Sequence, residues 1–250
     1  MNKSKFIRYF IVVFSVIAIL FALVKVLSPS RKVNTYLAIG DYLSVSGNLG
    51  GSEILSFSTM LGDYLVSNDL VESSNYNYTR ASVNSSELLE MICKDAYSGN
   101  DLGLVSLIEE SKYITITVGM NDILQYIRFD SSNQELIYDK EHIKRKLEIF
   151  KQNYYEIIEE IKELNDGVSV YLVGYYSPFE WVDEKNKSNV NEVFFLLNES
   201  IKDVSEFTGV NYVDISDVSK EENMFSKNQI YLNQLGHECV FELFKRVYLK

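Results

Sequence analysis

At 250 residues the chain has room for one membrane-spanning segment and one α/β domain of roughly 215 residues. Hydrophobic residues at 46% and aromatics at 13% supply a packed core, and two histidines with two scattered cysteines offer no metal-ligand spacing, so neither a metal nor a cofactor is expected. The formal net charge is −11, but residues 1–32 hold six basic and no acidic side chains. The remainder therefore stands at 18 basic against 35 acidic, a formal −17 that repels nucleic acid and anionic membrane surfaces alike.

Residues 9–24 form an unbroken apolar run with a single Ser, extended by Val26 and Leu27 past Lys25, close to the length that spans a bilayer. Lys3, Lys5 and Arg8 precede it, which predicts a cytoplasmic amino terminus and an extracytoplasmic remainder. The rival reading is a cleaved signal peptide, but Lys25-Val-Leu-Ser-Pro-Ser30 lacks a small-x-small site and places Pro29 where cleavage is hindered. The expected organisation is a basic segment at 1–8, an uncleaved single-pass membrane anchor at 9–27, a polar linker at 28–34 and one domain at 35–250.

The domain opens with Tyr36-Leu-Ala-Ile39, a run expected of a strand buried on both faces, and Gly40 permits a sharp turn that presents Tyr42 at the sheet's carboxyl edge. A loop is expected at 48–52 and a helix over 54–70, followed by a strand at 75–78 and a helix after Ser85 or Ser86 carrying Leu88, Leu89, Met91 and Ile92. Residues 102–111 read as helix. Lys112-Tyr-Ile-Thr-Ile-Thr-Val118 reads as strand, ended by Gly119-Met-Asn-Asp122. Residues 142–164 have helical spacing and stop at Asn165-Asp-Gly167, and 168–173 is a buried strand running into Gly174-Tyr-Tyr-Ser-Pro-Phe179. A helix at 190–207, a strand at 209–214 and a closing helix at 236–248 complete five alternations, which predict a parallel five-stranded sheet in a three-layer α/β/α fold with right-handed crossovers. Cys93 and Cys239, each among apolar helical neighbours, read as buried thiols, with a disulfide between them left open.

Four of these segments resemble the conserved blocks of the SGNH (GDSL) hydrolases, serine esterases and lipases with a flavodoxin-like sheet. Gly40-Asp41-Tyr42-Leu43 matches Gly-Asp-Ser-Leu except at the nucleophile. Residues 80–92 resemble the second block, with the family's oxyanion glycine at Val83. Gly119-Met-Asn121-Asp122 matches Gly-x-Asn-Asp in full, and Asn228-Gln-Ile-Tyr231-Leu-Asn-Gln-Leu-Gly236 fits the last block at Ile230, Asn233 and Gly236. Residues 174–179 resemble a Gly-x-Tyr-Asn-Pro-Phe segment of a membrane-associated or secreted bacterial subgroup. The resemblance implies a sheet order of 2-1-3-4-5 and places Tyr42 at the nucleophile position, Asn121 at the oxyanion position, Asn228 at the acid position and Tyr231 at the base position. Gly40, Asp41, Val83, Gly119, Tyr175 and Tyr176 would line the pocket, whose aromatic rim would suit an acyl or carbohydrate ligand.

A serine nucleophile needs a base to take its proton and a carboxylate to orient that base, and the three act as a unit. Two tyrosines and an asparagine in those places offer no group that titrates near neutrality. Ser44 and Ser46 lie past the apex of the turn, while His142 and His237 read as helix-surface or cap residues. Asp41 and Asp122 read first as carboxylates that accept backbone N–H groups beside tight turns. The leading expectation is thus a membrane-anchored, extracytoplasmic, catalytically inactive pseudo-esterase with a binding or scaffolding role. An active acyl hydrolase of lipid or cell-wall esters with a non-standard nucleophile, and a purely structural envelope protein, are the alternatives.

Overall fold

The computed structural model describes residues 34–49, 52–99, 102–130, 135–178, 184–220, 224–225 and 230–248. The expected anchor at 9–27, its linker up to residue 33, and Asn228 lie outside the described residues. Among the described residues no helix is long and apolar enough to cross a membrane.

Five parallel strands form the central sheet: β1 (Thr35–Gly40), β4 (Ser73–Thr79), β5 (Ser111–Thr117), β8 (Ser169–Val173) and β9 (Asn211–Val213), in spatial order β4-β1-β5-β8-β9. Counting these five strands alone, this is the expected order 2-1-3-4-5. β1 is buried along its whole length, and Tyr36 to Ile39 form the centre of the hydrophobic core, as a strand covered on both faces must.

Seven helices accompany the strands among the described residues: α1 (Phe57–Ser67), α2 (Ser85–Cys93), α3 (Leu104–Glu110), α4 (Met120–Leu124), α5 (Lys140–Leu164), α6 (Glu184–Thr208) and α7 (Gln234–Tyr248). α5 buries Ile143, Leu147, Phe150, Tyr154, Ile157, Ile158 and Ile161, the stripe predicted from their spacing. α2 is capped by Asn84 rather than by either serine. The Asn84 side chain accepts from Glu87 N–H and the Glu87 carboxylate accepts from Asn84 N–H, closing a capping box that leaves Ser85 to face inward.

Two antiparallel hairpins, neither of them foreseen, follow the two central strands at their carboxyl ends. β2 (Gly47–Leu49) with β3 (Ser52–Ile54) replaces the loop expected after Tyr42, and β6 (Arg128–Asp130) with β7 (Glu135–Ile137) follows α4. Each strand is three residues long, too short for alternation to register as a pattern.

The expected burial of the two cysteines needs correcting. Cys93 is exposed and Cys239 half-buried, and no disulfide joins them. Cys93 ends α2 one residue off the face formed by Leu88, Met91 and Ile92. Cys239 sits beside, not on, the buried stripe of Gly236, Val240 and Phe244.

Candidate functional site

The site is assembled at the carboxyl edge, where β1 and β5 end side by side. Gly40 has φ +127°, and a Cβ there would fall 1.9 Å from the Thr117 carbonyl oxygen, so only glycine lets β1 end this close to β5. The next residue locks the turn: Asp41 N–H donates to the same Thr117 carbonyl at 2.6 Å. The Asp41 carboxylate accepts from Leu43 N–H at 3.2 Å and from the Tyr175 hydroxyl at 2.5 Å. A short 3₁₀ turn over Tyr42–Ser44 follows, with all three residues buried.

Tyr42 points into the crevice and fills it. It is 3% exposed, its ring meets the Tyr231 ring edge-on with centroids 4.7 Å apart, and its hydroxyl lies 2.9 Å from that of Tyr176. Tyr176 donates its single proton to the Ile230 carbonyl at 3.0 Å, so Tyr42 must be the donor to Tyr176. Tyr176 also packs against Phe225, which bridges to Leu232 and accepts from the Asn233 amide. Three segments distant in sequence are therefore clasped around one phenol pair: the β1 turn, the loop after β8, and the chain entering α7.

Tyr175 and Tyr176 are fully buried, so they pack the crevice and form no aromatic rim. Their hydroxyls find partners inside the protein, which removes the need for solvent or ligand contact.

At the end of β5, Asn121 comes two residues after Gly119, which itself adopts φ +137° and lies so near Leu197 and Phe150 that a Cβ would crowd both. The Asn121 amide donates to the Val83 carbonyl at 2.8 Å and to the Ala81 carbonyl at 3.1 Å. The Val83 backbone N–H donates to the Arg80 carbonyl at 3.0 Å. An amide has two protons and a backbone nitrogen one, so both groups that would serve an oxyanion are already committed.

Asp122 accepts from Ser85 N–H at 3.0 Å and from its hydroxyl at 2.5 Å, and Asn153 donates to the same hydroxyl at 2.9 Å. Asp122 was expected to accept a backbone N–H, but its link through the Ser85 hydroxyl to Asn153 was not foreseen. Only the serine stood out in sequence, as a cap candidate, and Asn153 lay unmarked on a helix.

Burial pushes the Asp41 carboxyl up to about 7 and that of Asp122 up to about 6, both moderated by the hydrogen bonds they accept. Desolvation likewise holds the Tyr42 and Tyr175 phenols well above their ordinary value, so neither ionises at neutral pH.

The two histidines stand apart from this cluster. His142 lies in the first turn of α5, its ring edge-on to Tyr126. His237 is not at the surface as expected but 1% exposed, because its Nδ1 accepts the first N–H of α1, from Phe57, at 3.4 Å. Desolvation pulls it down to about 4, so it is neutral at physiological pH. Ser44 is buried in a hydroxyl cluster with Thr117 and Ser58, while Ser46 is exposed and bonded to Thr59. Among the described residues no group of His, Cys, Asp and Glu is placed to hold a metal ion.

The sequence model of the GDSL-like Lipase/Acylhydrolase family matches residues 74–239. The chain belongs to that family. The match starts after the Tyr42 turn. Among curated proteins, the GDSL-like chain is 23% identical over 216 residues to the uncharacterized protein YpmR of Bacillus subtilis, covering 84% of this chain and 78% of that one. Among solved structures it is similar to the lipase Lip_vut3 from a goat rumen metagenome, with TM-score 0.65, 22% identity, and coverage of 85% and 96% of the two chains. A variant of Axe2, an acetyl-xylooligosaccharide esterase from Geobacillus stearothermophilus, gives TM-score 0.60 at 15% identity, covering 86% and 95%. At these identities the likeness establishes the fold: a five-stranded parallel sheet of the SGNH hydrolase type.

Proposed function

We propose that this GDSL-like protein is a non-catalytic family member, anchored in the cell membrane through residues 9–27 with its domain outside the cytoplasm, that binds or scaffolds without hydrolysing. The observation that carries the reading is the Tyr42 plug. A phenol with a strongly raised pKa occupies the nucleophile position, its hydroxyl donates a hydrogen bond to Tyr176, and its neighbour at the base position is another phenol ring. Such a pair contains no base able to activate a nucleophile near neutral pH.

Two further features support it. Asn121 and Val83 have spent their donors on the loop at 80–83, so a tetrahedral oxyanion would find no hydrogen bond there. In Axe2, variants described as catalytic replace a serine, an aspartate and a histidine, the last two being three residues apart. Asn228 and Tyr231 have that spacing here, with neither side chain able to play the corresponding part.

Relatives that act on acylated carbohydrate make an acyl or carbohydrate ligand the natural class for a retained binding role. The test is fluorophosphonate labelling of the full chain together with assay on short-chain aryl esters. Neither labelling nor turnover is expected. Turnover that disappears in Tyr42→Phe would reverse the reading and make Tyr42 a nucleophile.

A further inference from the structure

The plug leaves open where a ligand binds, and the structure offers a place beside it. A groove of about 450 Å³ runs along the outer face of α2, within the size range of small-molecule sites. Glu87, Glu90, Met91 and Lys94 border it, at i, i+3, i+4 and i+7, so they form a single side of the helix. Val83, Met91 and Ala96 give it an apolar part between polar walls, and Arg80 lines it where the chain leaves β4.

The charges in this groove are not equivalent. Glu90 pairs with Lys94, and the Glu87 carboxylate is held by Asn84 N–H in the capping box. Among the described residues no carboxylate pairs with Arg80, whose backbone N–H is fixed to the Gly40 carbonyl at 2.8 Å. In a domain of formal charge −17, a guanidinium with no ion pair among the described residues, set beside apolar groups, is a selective feature even though Glu87 keeps its charge in the same groove. Val83, which the resemblance places at the family's oxyanion glycine, is 3% exposed and meets the groove with the edge of its isopropyl group.

We infer that this groove binds an amphiphile with an anionic head and a short apolar tail, the head on the Arg80 guanidinium and the tail over Val83, Met91 and Ala96. Guanidinium forms charge-assisted, bidentate hydrogen bonds to carboxylate and phosphate alike, so the shared chemistry is the anion and not one head. Met91 suits a tail of variable shape, its thioether being flexible and polarisable. The inference deepens the binding role proposed above and rests on it.

The full chain is photolabelled with three diazirine probes sharing one medium-length alkyl tail: a carboxylate, a monoalkyl phosphate and an alcohol. Cross-linked peptides are then located by mass spectrometry. One or both anionic probes should label the stretch 80–96, and Arg80→Gln should cut that labelling by about tenfold or more, the scale of one lost charged hydrogen bond. The Arg80 side chain is exposed, so the variant keeps its fold, which circular dichroism checks. Labelling confined elsewhere, labelling insensitive to Arg80→Gln, or equal labelling by the alcohol would overturn the inference. Aryl-ester turnover by the unmodified protein would defeat the non-catalytic reading separately, leaving the groove to be judged by the Arg80-dependent label.

Discussion

The Tyr42 hydroxyl donates to the Tyr176 hydroxyl across 2.9 Å, and that one contact joins the end of β1 to the loop after β8 at the carboxyl edge of the sheet. Tyr176 passes the connection on to the Ile230 carbonyl. Buried rings joined by a relay of fixed protons fill this edge of the sheet. The relay is a stabilising feature, and its energetic worth is measurable.

Removing the Tyr176 hydroxyl with Tyr176→Phe keeps the ring and deletes two hydrogen bonds at once. Tyr42 is then left with a buried, unpaired donor, and so is the Ile230 carbonyl as an acceptor. We expect a loss of about 2–4 kcal/mol, the sum of one or two such desolvated groups, read from the urea midpoint. A change below about 0.5 kcal/mol would mean that water replaces the phenol and that the crevice is open.

Tyr42→Ser, which restores the family's residue, should create no esterase, because Tyr231 stands where a base is needed. It should also cost about 3–5 kcal/mol, the scale for truncating a buried aromatic ring. Adding Tyr231→His and Asn228→Asp supplies a base and an acid but not an oxyanion hole. With Asn121 and Val83 still bonded to the 80–83 loop, activity of the triple variant should stay at least about 10²-fold below an intact relative, as expected for a missing donor. Initial rates on an aryl acetate decide this, and rates equal to an intact esterase would show that the 80–83 loop gives way when substrate enters.

The two raised carboxyls make the pH dependence of stability unusual. Asp41 keeps its proton in the folded chain up to about 7, whereas in the unfolded chain it ionises near its ordinary value, so its stabilising contribution is complete below that value and is lost as pH rises through about 7. Asp122 acts in the same direction up to about 6. His237 opposes them: it is depressed to about 4, so its contribution is present above its ordinary value and lost as pH falls toward 4. Two groups against one predict a melting temperature that rises when pH is lowered from 8 to 6. In Asp41→Asn, which preserves an acceptor for Tyr175, the rise should be smaller, and identical slopes in the two proteins would contradict the buried-proton account.

Gly40→Ala tests the turn itself. The added methyl would meet the Thr117 carbonyl at 1.9 Å in a backbone conformation that L-residues avoid, so β1 must separate from β5 or the turn must flip. Little folded protein is expected, and a cooperative thermal transition near that of the parent would be incompatible with the strand ends as described.

Much of this architecture follows from local pattern. The buried run Tyr36 to Ile39, the alternation of Ile114, Ile116 and Val118, and the stripe on α5 each carry a period or a continuity that only one kind of element satisfies. Right-handed crossovers and the resemblance to a known family then leave one sheet order. The glycine turns that carry Tyr42 and Asn121 at the ends of β1 and β5 were likewise legible, because a tight glycine turn after a strand marks the carboxyl edge without any reference to packing, whereas Tyr231 was placed by resemblance alone. What a side chain bonds to is a different kind of fact. The commitment of Asn121 to Ala81 and Val83, the burial of Tyr175 and Tyr176, the inward turn of His237 onto α1, and the exposure of Cys93 all depend on which distant segment arrives within 3 to 4 Å. Residue type sets the donors and acceptors a position owns, but burial leaves each of them only the partners that the assembled chain brings near, and those partners decide whether a phenol in a crevice is a nucleophile or a plug.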